Sequence, residues 1–200
     1  MKKVFLFMSI IIVLTLSFLG GTKDSNMYNL VRNNYKVVEQ GIKIQYIDEN
    51  MDKDYLKNSL NLTEEFDLYN NNFYYLKENN NFSIEIKGID EFIEVEIKNF
   101  DNSIVVEDME NILRKVFNKN KSLKVFTYVK GKGNDVHSLK NTSSYLESAF
   151  KDKYEKVNLS NGETGVIKFD KNTEYNYSLV SYGKDDNYII VGSPVIFITY

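Results

Sequence analysis

The stretch FSIEIKGIDEFIEVEIK, residues 82–98, alternates apolar and polar side chains twice, on either side of a turn at Gly88-Ile89-Asp90. Side chains of an extended chain point alternately to opposite faces, so Phe82, Ile84 and Ile86 share one face with Ile93, Val95 and Ile97. Ser83, Glu85 and Lys87 share the other with Glu94, Glu96 and Lys98. A three-residue connection joins only antiparallel neighbours, so two strands, Phe82–Lys87 and Glu91–Lys98, are predicted as a hairpin buried on one side and solvated on the other.

Working outward, short strands are predicted at Glu65–Tyr69 and Phe73–Lys77, separated by Asn-rich turns such as Asn70-Asn71-Asn72 and Asn79-Asn80-Asn81. Before them, Ile42 to Asp48 alternates as a strand, and Met51 to Asn61 reads as a helix capped by Asn50. After the hairpin, Val105, Met109, Ile112, Leu113 and Val116 recur at helical spacing, with Asn102 or Ser103 as N-cap. Arg114, Lys115, Lys119 and Lys121 crowd its C-terminal end, where cations suit the helix dipole.

The order then repeats. Leu123–Lys130 reads as a strand, Lys130-Gly131-Lys132-Gly133-Asn134 as a turn, and Ser138–Tyr154 as a helix. Strands at Glu155–Leu159, Gly165–Phe169, Glu174–Tyr182, Asn187–Val191 and Val195–Tyr200 complete the chain. Ile44-Gln45-Tyr46-Ile47 has a counterpart in Phe126-Thr127-Tyr128-Val129 about 80 residues later. The expected fold class is therefore α+β, with two strand-helix-antiparallel-meander units, residues 41–120 and 121–200, and helices packed on sheet.

Ahead of these units lie a linker or helix, residues 22–40, and a leader, residues 1–21. Lys2 and Lys3 precede an apolar or weakly polar run from Val4 to Leu19, the order of a secretory signal. The run falls short of the roughly 20 residues that span a bilayer comfortably. The segment is either a cleaved signal peptide or a retained N-terminal anchor. Both place the remaining chain outside the cytoplasm, secreted or held on the outer face of the membrane, which it touches only through this segment.

Composition narrows the chemistry. Removing the leader takes away two of 25 basic residues and none of 28 acidic ones, so the net charge goes from −3 to −5. With only Arg32 and Arg114 as arginines, the footprint of a nucleic-acid binder is missing. No cysteine occurs, which excludes disulfides, thiolate catalysis and a lipoprotein anchor. His137, the single histidine, sits in Asp135-Val136-His137-Ser138, and adjacency in sequence does not make a triad with Ser138 or Ser143. The loop at Lys130–Asn134 lacks the spacing of a phosphate-cradling motif. Glu85, Glu94 and Glu96 alternate with lysines, as a solvated mixed face does. No catalytic residue, metal ligand or cofactor is expected. The aromatic strands offer a candidate interaction surface at Tyr74, Tyr75, Tyr175 and Tyr177.

The tail NYIIVGSPVIFITY, residues 187–200, has the form V-G-[ST]-P-x-I-x-I-x-Y. Together with the leader and the strand–helix–meander order, it resembles the YwmB-like family of endospore-forming Gram-positive bacteria, whose members are labelled TATA-box-binding-like. The resemblance implies a two-part fold of TATA-binding-protein-like topology and an exported role without assigned catalytic residues. The function expected is binding or scaffolding of an envelope protein or wall component. The alternative is a wall-modifying hydrolase using carboxylates. Edman sequencing of the protein recovered from cells should find a new N-terminus between Ser17 and Thr22; an intact Met1 would make the leader an anchor.

Overall fold

In the computed structural model, the residues described are 27–200 apart from 51, 71, 119, 121, 169–172, 184, 197, 199 and 200. The leader, with Lys2, Lys3, Val4 and Leu19, lies outside them. Ten strands form one antiparallel sheet: β1 (Lys36–Ile47), β2 (Asp67–Tyr69), β3 (Asn72–Glu78), β4 (Phe82–Ile89), β5 (Phe92–Asn99), β6 (Lys124–Gly133), β7 (Tyr154–Leu159), β8 (Gly162–Lys168), β9 (Glu174–Ser181) and β10 (Asn187–Ser193). Among the described residues four α-helices accompany it: α1 (Met27–Asn34), α2 (Lys53–Ser59), α3 (Val106–Val116) and α4 (Val136–Phe150).

The strand order is β2-β3-β4-β5-β1-β6-β10-β9-β8-β7. Each half is a meander whose last strand returns beside its first. The halves meet where β1 pairs antiparallel with β6, from Lys36 opposite Lys132 to Gln45 opposite Lys124. The two expected units are thus halves of a single sheet.

The apolar phase of the hairpin is as expected. Ile86, Ile93 and Val95 are fully buried, and they join Ile42, Ile44, Val129, Tyr177 and Ile189 in a core that also takes in Val31, Leu56, Val106, Leu113 and Leu146 of the helices. Burying each such side chain contributes about 1.5–3 kcal/mol. Among the described residues, the opposite face of the sheet carries no helix.

Three glycines let this sheet accept aromatic rings. Gly41 faces Tyr128, Gly88 faces Phe73 and Gly165 faces Tyr177, each directly across a strand pair. A Cβ at Gly41 would stand 2.5 Å from the Tyr128 ring, so the ring lies over the backbone where a side chain would otherwise be.

Several expectations change. The turn foreseen at Lys130–Asn134 is mostly strand: β6 runs through Gly133, and its glycines admit Val31 and Tyr35, whose atoms crowd the Cβ position of Gly131. The α2 cap is Asp52, whose carboxylate accepts from the Tyr55 N–H at 2.8 Å, and not Asn50. The strand foreseen over Val195–Tyr200 is not found among the described residues. β10 ends at Ser193; Pro194 has no N–H to offer a ladder, and Ile196 packs back against Gly192.

The start of α3 differs most. Its N-cap is Val105, which has no side-chain acceptor. The acceptor comes from Gln40 of β1: its Oε1 takes the Val106 N–H at 3.1 Å, and its Nε2 donates to the Ile104 carbonyl at 2.9 Å. Arg32 of α1 then grips Glu107 in the first turn through two hydrogen bonds, 2.8 and 2.5 Å. Gln40 is 2% exposed, so losing its amide strands the buried Val106 N–H away from water, while the Ile104 carbonyl keeps its second donor, Asn99 Nδ2, at 3.0 Å. Gln40→Ala should therefore cost about 2–3 kcal/mol, read as a lowered midpoint in urea unfolding with an unchanged slope.

Candidate functional site

Consider the helix-free face. Alternation along β3, β4, β5 and β1 brings Tyr74, Glu85, Lys87, Glu94, Glu96, Lys98, Lys43 and Glu39 onto it. Glu85 stands directly opposite Glu96, and Lys87 opposite Glu94. A groove of about 280 Å³ opens here, lined by Glu39, Glu78, Glu85, Glu96, Ser83 and Lys98, with Leu76 and Phe100 as its apolar members. Four carboxylates against one ammonium make it acidic.

The charges are linked. Lys98 Nζ lies 3.0 Å from Glu96, and Lys43 lies 3.1 Å from Glu96 and 3.3 Å from Glu94. Lys87 reaches Glu85 at 3.0 Å. Glu94, Glu96 and Lys43 have side chains only 16%, 11% and 15% exposed. The face foreseen as solvated and mixed is mixed, and its middle is largely withdrawn from water. Like carboxylates set opposite each other repel, and here the lysines between them offset that repulsion.

The pKa values of Glu85 and Lys98 are shifted. Partial burial pushes the Glu85 carboxyl up, but hydrogen bonds from Lys87 and Tyr74 and the charges of Lys87 and Lys98 outweigh it, so Glu85 sits below its ordinary value. Burial alone would lower the Lys98 pKa; its contact with Glu96 and the charges of Glu39 and Glu85 raise it instead. Both groups are therefore charged at neutral pH. Next to the groove, Tyr128 donates to Glu39, and burial together with that carboxylate pushes its phenol well up.

The other candidates fare differently. Tyr75, Tyr175 and Tyr177 are 2%, 7% and 0% exposed, on the helix side of the sheet, so three of the four tyrosines foreseen as an interaction surface are core residues. The reason is phase: Tyr75 lies two residues from buried Phe73, and Tyr177 two from buried Leu179. Tyr74 has the opposite phase and lies on the helix-free face, donating to Glu85 at 3.0 Å.

His137 is exposed in the first turn of α4. Asp135 uses its carboxylate to cap that helix, accepting the Ser138 N–H at 2.8 Å, and Ser138 Oγ donates to the Asp135 carbonyl. Ser143 instead donates to Glu163 at 2.9 Å. A nucleophile–base–acid array is not assembled from these residues.

Glu163 was not singled out by sequence reasoning. On the helix side its carboxylate accepts from Ser143, Tyr154 and Tyr177 and lies 3.7 Å from Lys156. The rings of Tyr154 and Tyr177 stack at 5.5 Å. The Tyr177 phenol is pushed up, first by burial and then by Tyr154 and Glu163. This cluster fastens α4 to the sheet. A polar residue at a buried phase of β8 was the available signal. No group of acids and histidines among the described residues has the arrangement of a metal site.

Comparison of the chain with known protein families and with curated proteins finds no match.

Because the folded Glu85 pKa lies below 4.5, its stabilising contribution is present in full above that value and is lost as pH falls through the folded one. Tyr74→Phe removes one donor to the carboxylate. Glu85 should then titrate higher than in the unaltered protein, as followed by the chemical shift of its side-chain carboxyl carbon; an unchanged titration would remove Tyr74 from the causes of its shift.

Proposed function

We propose that this chain is an exported or membrane-anchored YwmB-like protein of the cell envelope, one that binds rather than catalyses. Its TATA-binding-protein-like topology is part of the same reading, supported by two five-strand units meeting at β1 and β6 with helices on one face. The observation that carries the function is the acidic groove on the helix-free face. Its carboxylates attract a cationic group, while Leu76 and Phe100 can cover the apolar stem that such a group stands on. A lysine or arginine side chain of an envelope protein, or an amine of a wall component, has that chemistry. Duplex DNA does not, since four glutamates would repel its phosphates.

One observation favours the alternative, a carboxylate hydrolase. Glu85 and Glu96 face each other across β4 and β5, and retaining glycosidases hold two carboxyls about 5 Å apart. Such an enzyme needs one of the two kept protonated. Glu85 is held below its ordinary pKa, and Glu96 is paired with both Lys43 and Lys98. That arrangement suits a receptor for positive charge better than a proton donor.

A photo-crosslinking amino acid at Tyr74, on the groove face, should capture an envelope partner in cells, and the same probe at Val136, exposed at the start of α4, should not. Adding Glu85→Lys should reduce the Tyr74 product about tenfold, the effect of roughly 1.4 kcal/mol. Equal capture from both positions would defeat the reading. Release of wall fragments that is abolished by Glu85→Gln would establish the hydrolase in its place.

A further inference from the structure

Among the described residues the sheet ends on two edge strands, β2 and β7, and they are unlike. β2 is three residues long, begins with Asp67, and leads into Asn70 with a left-handed backbone, φ 55°. Short charged edges discourage pairing with other chains. β7 is six residues long, carries no proline and pairs with β8 without a register shift. Every residue of it after Tyr154 is exposed. Val157 is 61% exposed and Leu159 39%, both on the helix-free face.

The direction of its free backbone groups follows from the hairpin. β7 and β8 are joined through Ser160 and Asn161, with Leu159 opposite Gly162. In a two-residue hairpin the closing pair is hydrogen-bonded. Leu159, Val157 and Glu155 therefore direct N–H and C=O toward β8, and Asn158, Lys156 and Tyr154 direct theirs away from the sheet. The bond from Ser181 N to the Asn161 carbonyl, 2.8 Å, fixes the same phase one strand further in.

We propose that β7 is the docking edge for β7 of a second copy of this chain, antiparallel about a two-fold axis through Asn158. Only residues with outward backbone groups can occupy hydrogen-bonded positions, and Asn158 opposite its own mate satisfies this on both strands. The register then sets Val157 against Leu159 of the other copy twice, at the closer, non-hydrogen-bonded spacing. Both exposed apolar side chains are covered by one operation, on one face. Lys156 falls opposite Ser160 and Glu155 opposite Asn161, so no like charges meet. Within each copy those charges are already paired, Glu155 with Lys168 at 3.0 Å and Lys156 with Glu147 at 3.5 Å. The self-complementary spacing of Val157 and Leu159 around Asn158 is what selects a second copy over an unrelated strand. The product is one sheet continuous through two molecules, with both acidic grooves on its outer halves.

The chain has no cysteine, so one introduced at Asn158 reports on its own mate alone. Cα atoms of a hydrogen-bonded pair lie about 5.5 Å apart, within disulfide range. Under mild oxidation Asn158→Cys should form a linked dimer at least about tenfold faster than Leu68→Cys on the opposite edge, a difference of roughly 1.4 kcal/mol in pairing. The unaltered protein should sediment as a dimer at about 100 µM, and Val157→Lys with Leu159→Lys should sediment as a monomer whose thermal unfolding matches that of the unaltered protein diluted until it is monomeric. A monomer at that concentration, or equal linking from the two edges, overturns the proposal. Capture of a different protein by the Asn158 edge in place of the second copy overturns it as well.

Discussion

The antiparallel pairing of β1 with β6 is the contact on which the rest depends. Without it there are two five-strand meanders, each with an open inner edge. With it there is one surface wide enough to seat four helices on one side. Gln40 lies within this seam and extends its effect beyond the ladder. By capping α3 from the sheet, it ties the helix that follows the first half to the strand that opens it. Arg32 adds α1 to the same knot through Glu107. Backbone pairing, a buried amide and a partly buried ion pair thus converge on one place. Their worth differs: the amide satisfies groups with no access to water, while the ion pair is open enough to be weakened by salt.

The helix-free face divides along the same seam. On the side of the first half it is ionic, and Glu85, Glu94 and Glu96 each have a lysine within about 3.3 Å. On the other side, Val180 and Ile190 are as buried as any core residue. One sheet therefore presents two different chemistries on one face, and the acidic groove lies within the first of them.

How much of this could be read in the sequence depended on whether the deciding interaction was local. The hairpin at 82–98 was legible because alternation is a property of neighbours, and its buried and charged faces came out in the expected phase. The repeated order of elements was legible for the same reason, and so was the mixed acidic and basic character of the groove. The α3 cap was not, because its acceptor stands 66 residues away on another strand. The glycines of Lys130–Asn134 read as a turn because glycine marks turns more often than it marks a place where a helix presses on a strand. Tyr75, Tyr175 and Tyr177 failed as surface residues for a plainer reason: a tyrosine in a strand shows its phase only once the partner strands are known. The joining of two halves into one sheet had no local signature at all.

The central seam also orders events in time. A chain that emerges N-terminus first completes β1 and its partner β5 before β6 exists. Until residue 133 is free to fold, β1 keeps one bare ladder edge, twelve residues long. Such an edge is longer than either outer edge of the finished sheet, β2 or β7, and it exists only before β6 has formed. Long-range strand pairing is slow compared with local hairpins. The half-made sheet is therefore the stage at which this protein most needs guarding, and a factor that binds exposed strand edges would act on it then or not at all.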